Sequence, residues 1–119
     1  MSSTEPTRAE IDKLDGPTLI EFGSPYCGYC RAAQPLISAA LADHRGVRHI
    51  KVADAKGRRL GRSFGVKLWP TLVFLGNGKE AARVVRPEGV EEIREALATI
   101  SNLEGGAASN RDSSPGERQ

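Results

Sequence analysis

The chain has two cysteines, and they lie three positions apart in the motif Cys27-Gly-Tyr-Cys30. Thiols at this spacing can close a disulfide with each other, and a thiolate at one of them can attack a disulfide in another molecule. A free cysteine has a pKa of about 8.5, so this exchange is fast near neutral pH only where the surroundings lower the pKa of the attacking thiol. The elements that hold the two cysteines therefore decide whether the pair is reactive.

The spacing of apolar residues after the motif predicts a helix over residues 27–42. Its apolar positions recur with helical spacing at Ala33, Leu36, Ile37, Ala40 and Leu41. A short apolar strand is predicted over 18–22, and a Gly-Ser-Pro break separates it from the helix. Cys27 then lies in the first helical turn, where unpaired backbone N–H groups stabilise a thiolate, while Cys30 lies on the apolar stripe. We predict that Cys27 is the nucleophile and Cys30 the resolving thiol.

The other predicted elements extend this unit into one α/β domain. They are strands over 47–53, 71–75 and 81–85, a short basic helix within 55–64, a hairpin turn at 76–78 and a last helix over 88–100. This order predicts one mixed β-sheet flanked by helices on both faces. The domain is expected to cover residues 10–103, between a flexible N-terminus (1–9) and a tail (104–119) whose Gly, Ser and charged residues predict disorder.

Two other interpretations of the cysteine pair are open. With His44 and His49 it forms the spacing Cys-x2-Cys-x13-His-x4-His, which fits a zinc-finger template numerically. His49, however, falls inside a predicted strand, whereas a finger holds both histidines on one helix, so we predict no metal. The pair could also be structural and inert, but a chain of 119 residues can bury a core without such a staple.

Composition and charge restrict the possible partners. The net charge of +2 gives no reason to expect a nucleic-acid partner, and no stretch is apolar enough to span a membrane. Residues 45–86 nevertheless hold eleven Lys and Arg against two acids, which is either a solvated face or a basic rim that steers acidic partners. Residues 1–16 are polar and resemble no secretory signal, so a cytoplasmic location is expected, where a close cysteine pair is more often catalytic than structural.

These residues together resemble the thioredoxin family over roughly residues 15–100. The shared landmarks, in order, are the strand Leu19-Ile-Glu-Phe22, the motif Cys27-Gly-Tyr-Cys30, Pro35, the run Trp69-Pro70-Thr71 and the hairpin Phe74-Leu-Gly-Asn-Gly-Lys79. The resemblance implies the thioredoxin fold and a protein-disulfide oxidoreductase that acts on protein disulfides. It also implies a separate electron-donating reductase and no bound cofactor. Nothing in the sequence suggests more than a monomer.

The resemblance also implies roles for particular residues. Glu21, six positions before the first cysteine, takes the place of the family's buried acid, usually Asp, and would accept a proton from the resolving thiol. Pro70 would follow a cis peptide bond, and the backbone of Trp69 would pair with bound substrate. Tyr26 and Tyr29 flank the first cysteine in the sequence, and with Trp69 they are candidates for a surface that contacts the substrate chain.

Three departures from the family pattern stand out, and the first of them leaves the direction of the reaction open. The Gly-Tyr spacer lacks the usual proline and is similar to that of bacterial disulfide isomerases. A family lysine near the buried acid falls at Ile50, next to Lys51, and a groove glycine falls near Arg86, which would crowd and charge the groove or be a surface cation at a strand end. We predict a cytosolic reductase. A disulfide isomerase or oxidase and a non-catalytic redox-sensing or binding module are the alternatives.

Overall fold

The computed structural model describes residues 5–101 of the chain. Within this range helices and strands follow one another as α1 (Arg8–Asp12), β1 (Pro17–Gly23), α2 (Gly28–Leu41), β2 (Arg48–Ala53), α3 (Arg59–Ser63), β3 (Thr71–Gly76), β4 (Lys79–Val85) and α4 (Val90–Ser101). None of these helices is both long enough and apolar enough to cross a membrane. The tail over 104–119, predicted to be disordered, lies outside the described residues.

The strands form one mixed sheet in the order β2-β1-β3-β4. β1 runs parallel to β2 and antiparallel to β3, and β3 runs antiparallel to β4. The two central strands, β1 and β3, are buried at every position except their last, as expected of strands that are covered on both faces. At the turn between β3 and β4, Asn77 and Gly78 both have positive φ angles, which suit a tight hairpin. The predicted α/β architecture with a mixed sheet is confirmed.

Each face of the sheet carries its own apolar cluster. Helices α2 and α4 cover one face, where the buried residues are Leu19, Ala33, Ile37, Ala40, Val47, Leu72, Phe74, Ile93, Ala96, Leu97 and Ile100. Helices α1 and α3 cover the other face, where they are Ile11, Ile20, Phe22, Val52, Leu60, Phe64, Val73 and Leu75. Successive residues of β1 alternate between the clusters because strand side chains point to opposite faces in turn. The sheet is thus flanked by helices on both faces, as predicted.

Residues 5–9 differ from the flexible N-terminus that the sequence predicts. Thr7 caps α1 reciprocally with Glu10, since each side chain accepts a hydrogen bond from the other residue's backbone N–H. The guanidinium carbon of Arg8 lies 3.8 Å from the centroid of the Phe64 ring, and Glu5 accepts a hydrogen bond from the backbone N–H of Leu60. The capping box is a local signal that the sequence analysis did not use, whereas the contacts of Arg8 and Glu5 join residues far apart in the sequence and could not be read from local composition.

Candidate active site

The two cysteines lie where β1 passes into α2. Cys27 is the N-cap of α2, with extended backbone angles, and its Sγ accepts a hydrogen bond from the backbone N–H of Cys30 at 3.2 Å. Cys30 lies in the first turn and is only 6% exposed, whereas Cys27 is partly exposed. A Cβ at Gly23, the last residue of β1, would lie 2.8 Å from Cys30 Sγ, so the strand approaches this thiol closely because it ends in glycine.

The surroundings shift the pKa values of the two thiols in opposite directions. Burial tends to raise the pKa of Cys27, but hydrogen bonds from the Cys30 thiol and from backbone N–H groups of Cys30 and Tyr29, together with the charge of Arg86, lower it below its usual value. Burial first, and then the hydrogen bond to Cys27, raise the pKa of Cys30 to about 11. Of the two thiols, therefore, Cys27 is the one that ionises more easily, and Cys30 keeps its proton at neutral pH.

The segment before β3 brings Trp69 against the exposed thiol. Trp69 donates its indole N–H to Asp54 Oδ2 at 2.9 Å, which fixes the ring, and its carbonyl oxygen lies 3.8 Å from Cys27 Sγ. The peptide bond between Trp69 and Pro70 is cis. The backbone of Trp69 is thus next to the sulfur that a substrate must reach.

The two tyrosines that are candidates for contacting the substrate differ in their surroundings. Tyr26 is 89% exposed and lies just before α2. Tyr29 is 59% exposed, and the guanidinium carbon of Arg86 lies 4.0 Å from its ring centroid. Arg86 is therefore not a simple surface cation at a strand end, because it lies against a residue of the dithiol motif.

Glu21 is buried beneath α2 and is held by side chains from two other elements. Its Oε1 lies 2.9 Å from His49 Nε2 in β2, and its Oε2 accepts a hydrogen bond of 2.6 Å from Gln34 Nε2 in α2. The same Gln34 amide donates to the carbonyl oxygen of Cys30 at 3.1 Å, and Lys51 Nζ donates to Gln34 Oε1 at 3.2 Å. A single polar network thus links the acid to the helical turn that carries the buried thiol.

The network keeps Glu21 ionised near neutral pH. Burial tends to raise the pKa of Glu21, but hydrogen bonds from His49 and Gln34 and the charge of Lys51 lower it below its ordinary value of 4.5. Glu21 and Cys30 line a common cavity of about 520 Å³, with no direct hydrogen bond between them in the described part of the chain. The cavity is large enough to hold water, and Glu21, Gln34 and Lys51 in its lining offer polar groups to which such a water can bond.

The sequence did not reveal His49 or Gln34 as part of this network. A signal for His49 exists in the register of the sheet, where Leu19 of β1 pairs with His49 and Glu21 pairs with Lys51. Residues 49 and 51 therefore point to the face of Glu21, whereas Ile50 points to the other face and packs against the opposite apolar cluster. Lys51, rather than Ile50, is the residue beside the buried acid.

The zinc interpretation finds no support in the positions of the histidines. His49 lies against Glu21, and His44 lies in the turn after α2, where its backbone N–H bonds to the carbonyl of Leu41. Over residues 5–101, no three or more Cys, His, Asp or Glu side chains gather as a metal site would require.

A thiol titration tests the unequal environments of the cysteines. We expect iodoacetamide to alkylate Cys27 with a midpoint pH below the free value of about 8.5, because α2 and Arg86 favour its thiolate. Cys30 should stay unreactive until the pH approaches its pKa of about 11. Rates at each site can be followed by peptide mass spectrometry. In protein unfolded by guanidinium both sites should show the ordinary midpoint, and a Cys27 midpoint of about 8.5 or more in the folded protein would contradict the argument.

Comparison with known proteins agrees with this geometry. The sequence model of the thioredoxin family matches residues 2–99. The structure is similar to that of reduced thioredoxin 2 from Pseudomonas aeruginosa, with 54% identity and a TM-score of 0.75, over 84% of this chain and 93% of that one. Thioredoxin 1 of Nostoc sp. is 27% identical over 79 residues, which cover 66% of this chain and 74% of that protein.

Longer relatives share only one segment with this chain. Protein disulfide-isomerase of Gallus gallus is 37% identical over 68 residues, but these cover 54% of this chain and 13% of the isomerase. The matches to thioredoxins, in contrast, extend over most of both proteins. Because a thioredoxin model spans nearly the whole domain and the dithiol lies at a helix start beside a buried acid, the chain belongs to the thioredoxin family and is a thiol–disulfide oxidoreductase.

Proposed function

We propose that the protein reduces disulfides in other proteins, with Cys27 as nucleophile and Cys30 as resolving thiol. The observation that carries this proposal is the contrast between the neighbouring thiols, since the pKa of Cys27 is lowered while that of Cys30 is raised to about 11. Any two-cysteine exchange reaction, reduction included, needs this asymmetry. One thiol must attack first, and the other must wait until a mixed disulfide has formed.

In the first step the Cys27 thiolate attacks one sulfur of the substrate disulfide. A bond forms between Cys27 Sγ and that sulfur, the substrate S–S bond breaks, and the second substrate sulfur leaves as a thiolate that takes a proton from water. The product is a mixed disulfide between substrate and Cys27. The carbonyl of Trp69 lies 3.8 Å from this sulfur, and Tyr26 and Tyr29, both more than half exposed, lie next to Cys27 in the sequence. These three residues would contact the substrate chain, with Pro70 shaping the turn.

In the second step Cys30 loses its proton and attacks Cys27 Sγ. The bond between Cys27 and the substrate breaks, the substrate sulfur leaves reduced, and a Cys27–Cys30 disulfide remains. Glu21 accepts the proton of Cys30 through water in the shared cavity and later returns it to solvent. Two electrons have then passed to the substrate, and a separate reductase must restore the dithiol.

The proposed direction of the reaction also favours a particular cellular compartment and particular partners. A dithiol acts as a reductant where the compartment keeps it reduced, so we place the protein in the cytoplasm. Its partners are disulfide-containing proteins and a reductase, and we expect it to work as a monomer without nucleic acid, membrane or cofactor.

A disulfide isomerase or oxidase is the second candidate. The Gly-Tyr spacer favours it, and so does the identity of 37% with part of a Gallus gallus protein disulfide-isomerase. The measurement that separates the candidates is the reduction potential of the Cys27–Cys30 pair, taken by equilibration with glutathione buffers. We expect a value near that of thioredoxin, about −270 mV. A value near about −180 mV would support an isomerase instead, and one near about −120 mV an oxidase.

A further inference from the structure

Arg86 adopts a backbone conformation that arginine rarely takes. It follows β4 directly and has a φ angle of 51°, in the left-handed region that glycine normally occupies. Three contacts hold it there. Its backbone N–H donates to the carbonyl of Pro70 at 3.0 Å, its Nε donates to the carbonyl of Trp69 at 2.8 Å, and its guanidinium stacks on Tyr29. The side chain is thus fixed over the rim of the dithiol.

The charge of Arg86 has no carboxylate partner among the described residues. Several other arginines are neutralised by a nearby acid, as Arg83 is by Glu80 and Arg94 by Glu91, each at 2.7 Å. Arg86 forms no such ion pair within residues 5–101, and there its Nε alone makes a side-chain hydrogen bond. The two terminal NH2 groups are therefore available, and a guanidinium edge of this kind binds a carboxylate through two parallel hydrogen bonds.

The neighbourhood of Trp69 adds further positive charge. On its indole side lies a cavity of about 610 Å³ whose charged lining residues are Lys56, Arg62, Lys67 and Asp54. The one acid, Asp54, accepts the indole N–H of Trp69 at Oδ2 and keeps its charge, so three cations face one carboxylate in this cavity. An acidic substrate segment that approaches Cys27 is therefore attracted both by Arg86 and by the cations of this cavity.

We propose that Arg86 is a specificity-determining residue that binds the carboxylate of an Asp or Glu next to the disulfide cysteine that Cys27 attacks. The inference rests on the proposed function and names a class of substrate for it. Arg86 donates to the Trp69 carbonyl, which itself lies 3.8 Å from Cys27 Sγ, so the guanidinium is within about two residues of extended chain from the reacting sulfur. A carboxylate at the neighbouring substrate position can reach the free NH2 groups.

The test uses two disulfide-bonded peptides that differ only in having Glu or Gln beside the attacked cysteine. We expect wild-type protein to reduce the Glu peptide with a kcat/KM about 10-fold higher at low ionic strength, and the ratio to shrink as salt is added. Arg86→Asn, which tolerates a positive φ, should bring the ratio to about 1, and Arg86→Lys should give an intermediate ratio. Arg94→Gln removes an equal charge from α4 and should leave the ratio unchanged.

A ratio between two substrates separates this inference from the function on which it rests. Any change in folding or in the reactivity of Cys27 affects both peptides equally and cancels. If wild type reduces neither peptide, the proposed function fails. If it reduces both at the same rate, reduction stands and the role of Arg86 is overturned. A preference for Glu that persists in Arg86→Asn would also overturn it and would assign the selection to the basic cavity beside Trp69.

Discussion

Replacing Cys27 with serine is expected to reduce disulfide turnover by on the order of 10³-fold or more, because a hydroxyl at this pH cannot replace a thiolate as nucleophile. The loss should be the same at any substrate concentration, since the substitution removes the reacting atom rather than a binding contact. Turnover can be followed with a protein disulfide as substrate and dithiothreitol as the electron source. Equal turnover in the wild type and the variant would contradict the catalytic role of Cys27. The protein would then be a redox-sensing or binding module.

The matched variant Cys30→Ser should fail at a different step. Cys27 still lies at the start of α2 and still attacks, but no thiol is left to release the substrate, so a mixed disulfide accumulates. Mass spectrometry under non-reducing conditions should detect one substrate molecule per protein. The double variant should form no adduct. An adduct that survives in Cys27→Ser would show that the two thiols have been assigned in the wrong order.

The contrast between the partly exposed Cys27 and the buried Cys30 follows from local patterns, and so the sequence predicted it. Helical spacing places Cys30 in register with Ala33 and Ile37, which are buried as it is. The break after β1 places Cys27 at the start of the helix, where backbone N–H groups point at its sulfur. The helical spacing of apolar residues and the break after β1 are signals carried by a few neighbouring residues. No contact with a distant part of the fold overrides them here.

The partners of Glu21 depend instead on how separate elements align. Whether His49 or Ile50 points toward Glu21 is set by the register of β2 against β1, and a slip of one residue would exchange them. The sequence predicted both strands but not their register. Gln34 lies on α2 and reaches Glu21 of β1 only because of the way this helix packs against the sheet.

The family resemblance placed Arg86 near a groove glycine, but the backbone conformation and contacts of Arg86 could not be predicted from the sequence, for another reason. No local preference of arginine favours a positive φ, and such a conformation costs about 1–2 kcal/mol outside glycine. The surrounding contacts with Pro70, Trp69 and Tyr29 compensate for it, and they come from segments far apart along the chain. A residue whose local backbone preference conflicts with the conformation that the fold imposes, as at Arg86, is expected at functional sites.

Replacing Glu21 with glutamine is expected to slow the resolving step by about 100-fold while leaving the attack by Cys27 nearly unchanged. Glutamine has nearly the same size but cannot accept the proton of Cys30. The lost negative charge also lowers the pKa of Cys30, which works in the opposite direction. That charge is the least of the causes that raise this pKa, after burial and the interactions with Cys27, so loss of the proton acceptor outweighs it. Decay of a mixed disulfide preformed on Cys27 measures the step directly.

The pH dependence of folding gives the same variant a second readout. The pKa of folded Glu21 lies below its ordinary value of 4.5, so its ionised form stabilises the fold. By linkage this contribution is fully present above pH 4.5 and is lost as the pH falls through the lower, folded value. The free energy of unfolding of Glu21→Gln should therefore depend less on pH in this acidic range than that of the wild type.

A variant of His49 separates proton transfer from mere structural support. His49→Leu keeps the carboxylate of Glu21 but removes a hydrogen bond that lowers its pKa, so Glu21 becomes a stronger base. The resolving step should then be as fast as in the wild type or faster, in contrast to Glu21→Gln. If both variants slow the step equally, Glu21 and His49 only hold Gln34 and the turn of Cys30 in place. A resolving step that is slowed by Glu21→Gln but not by His49→Leu would show that the rate depends on the carboxylate itself and not on the support that the network gives to the turn of Cys30.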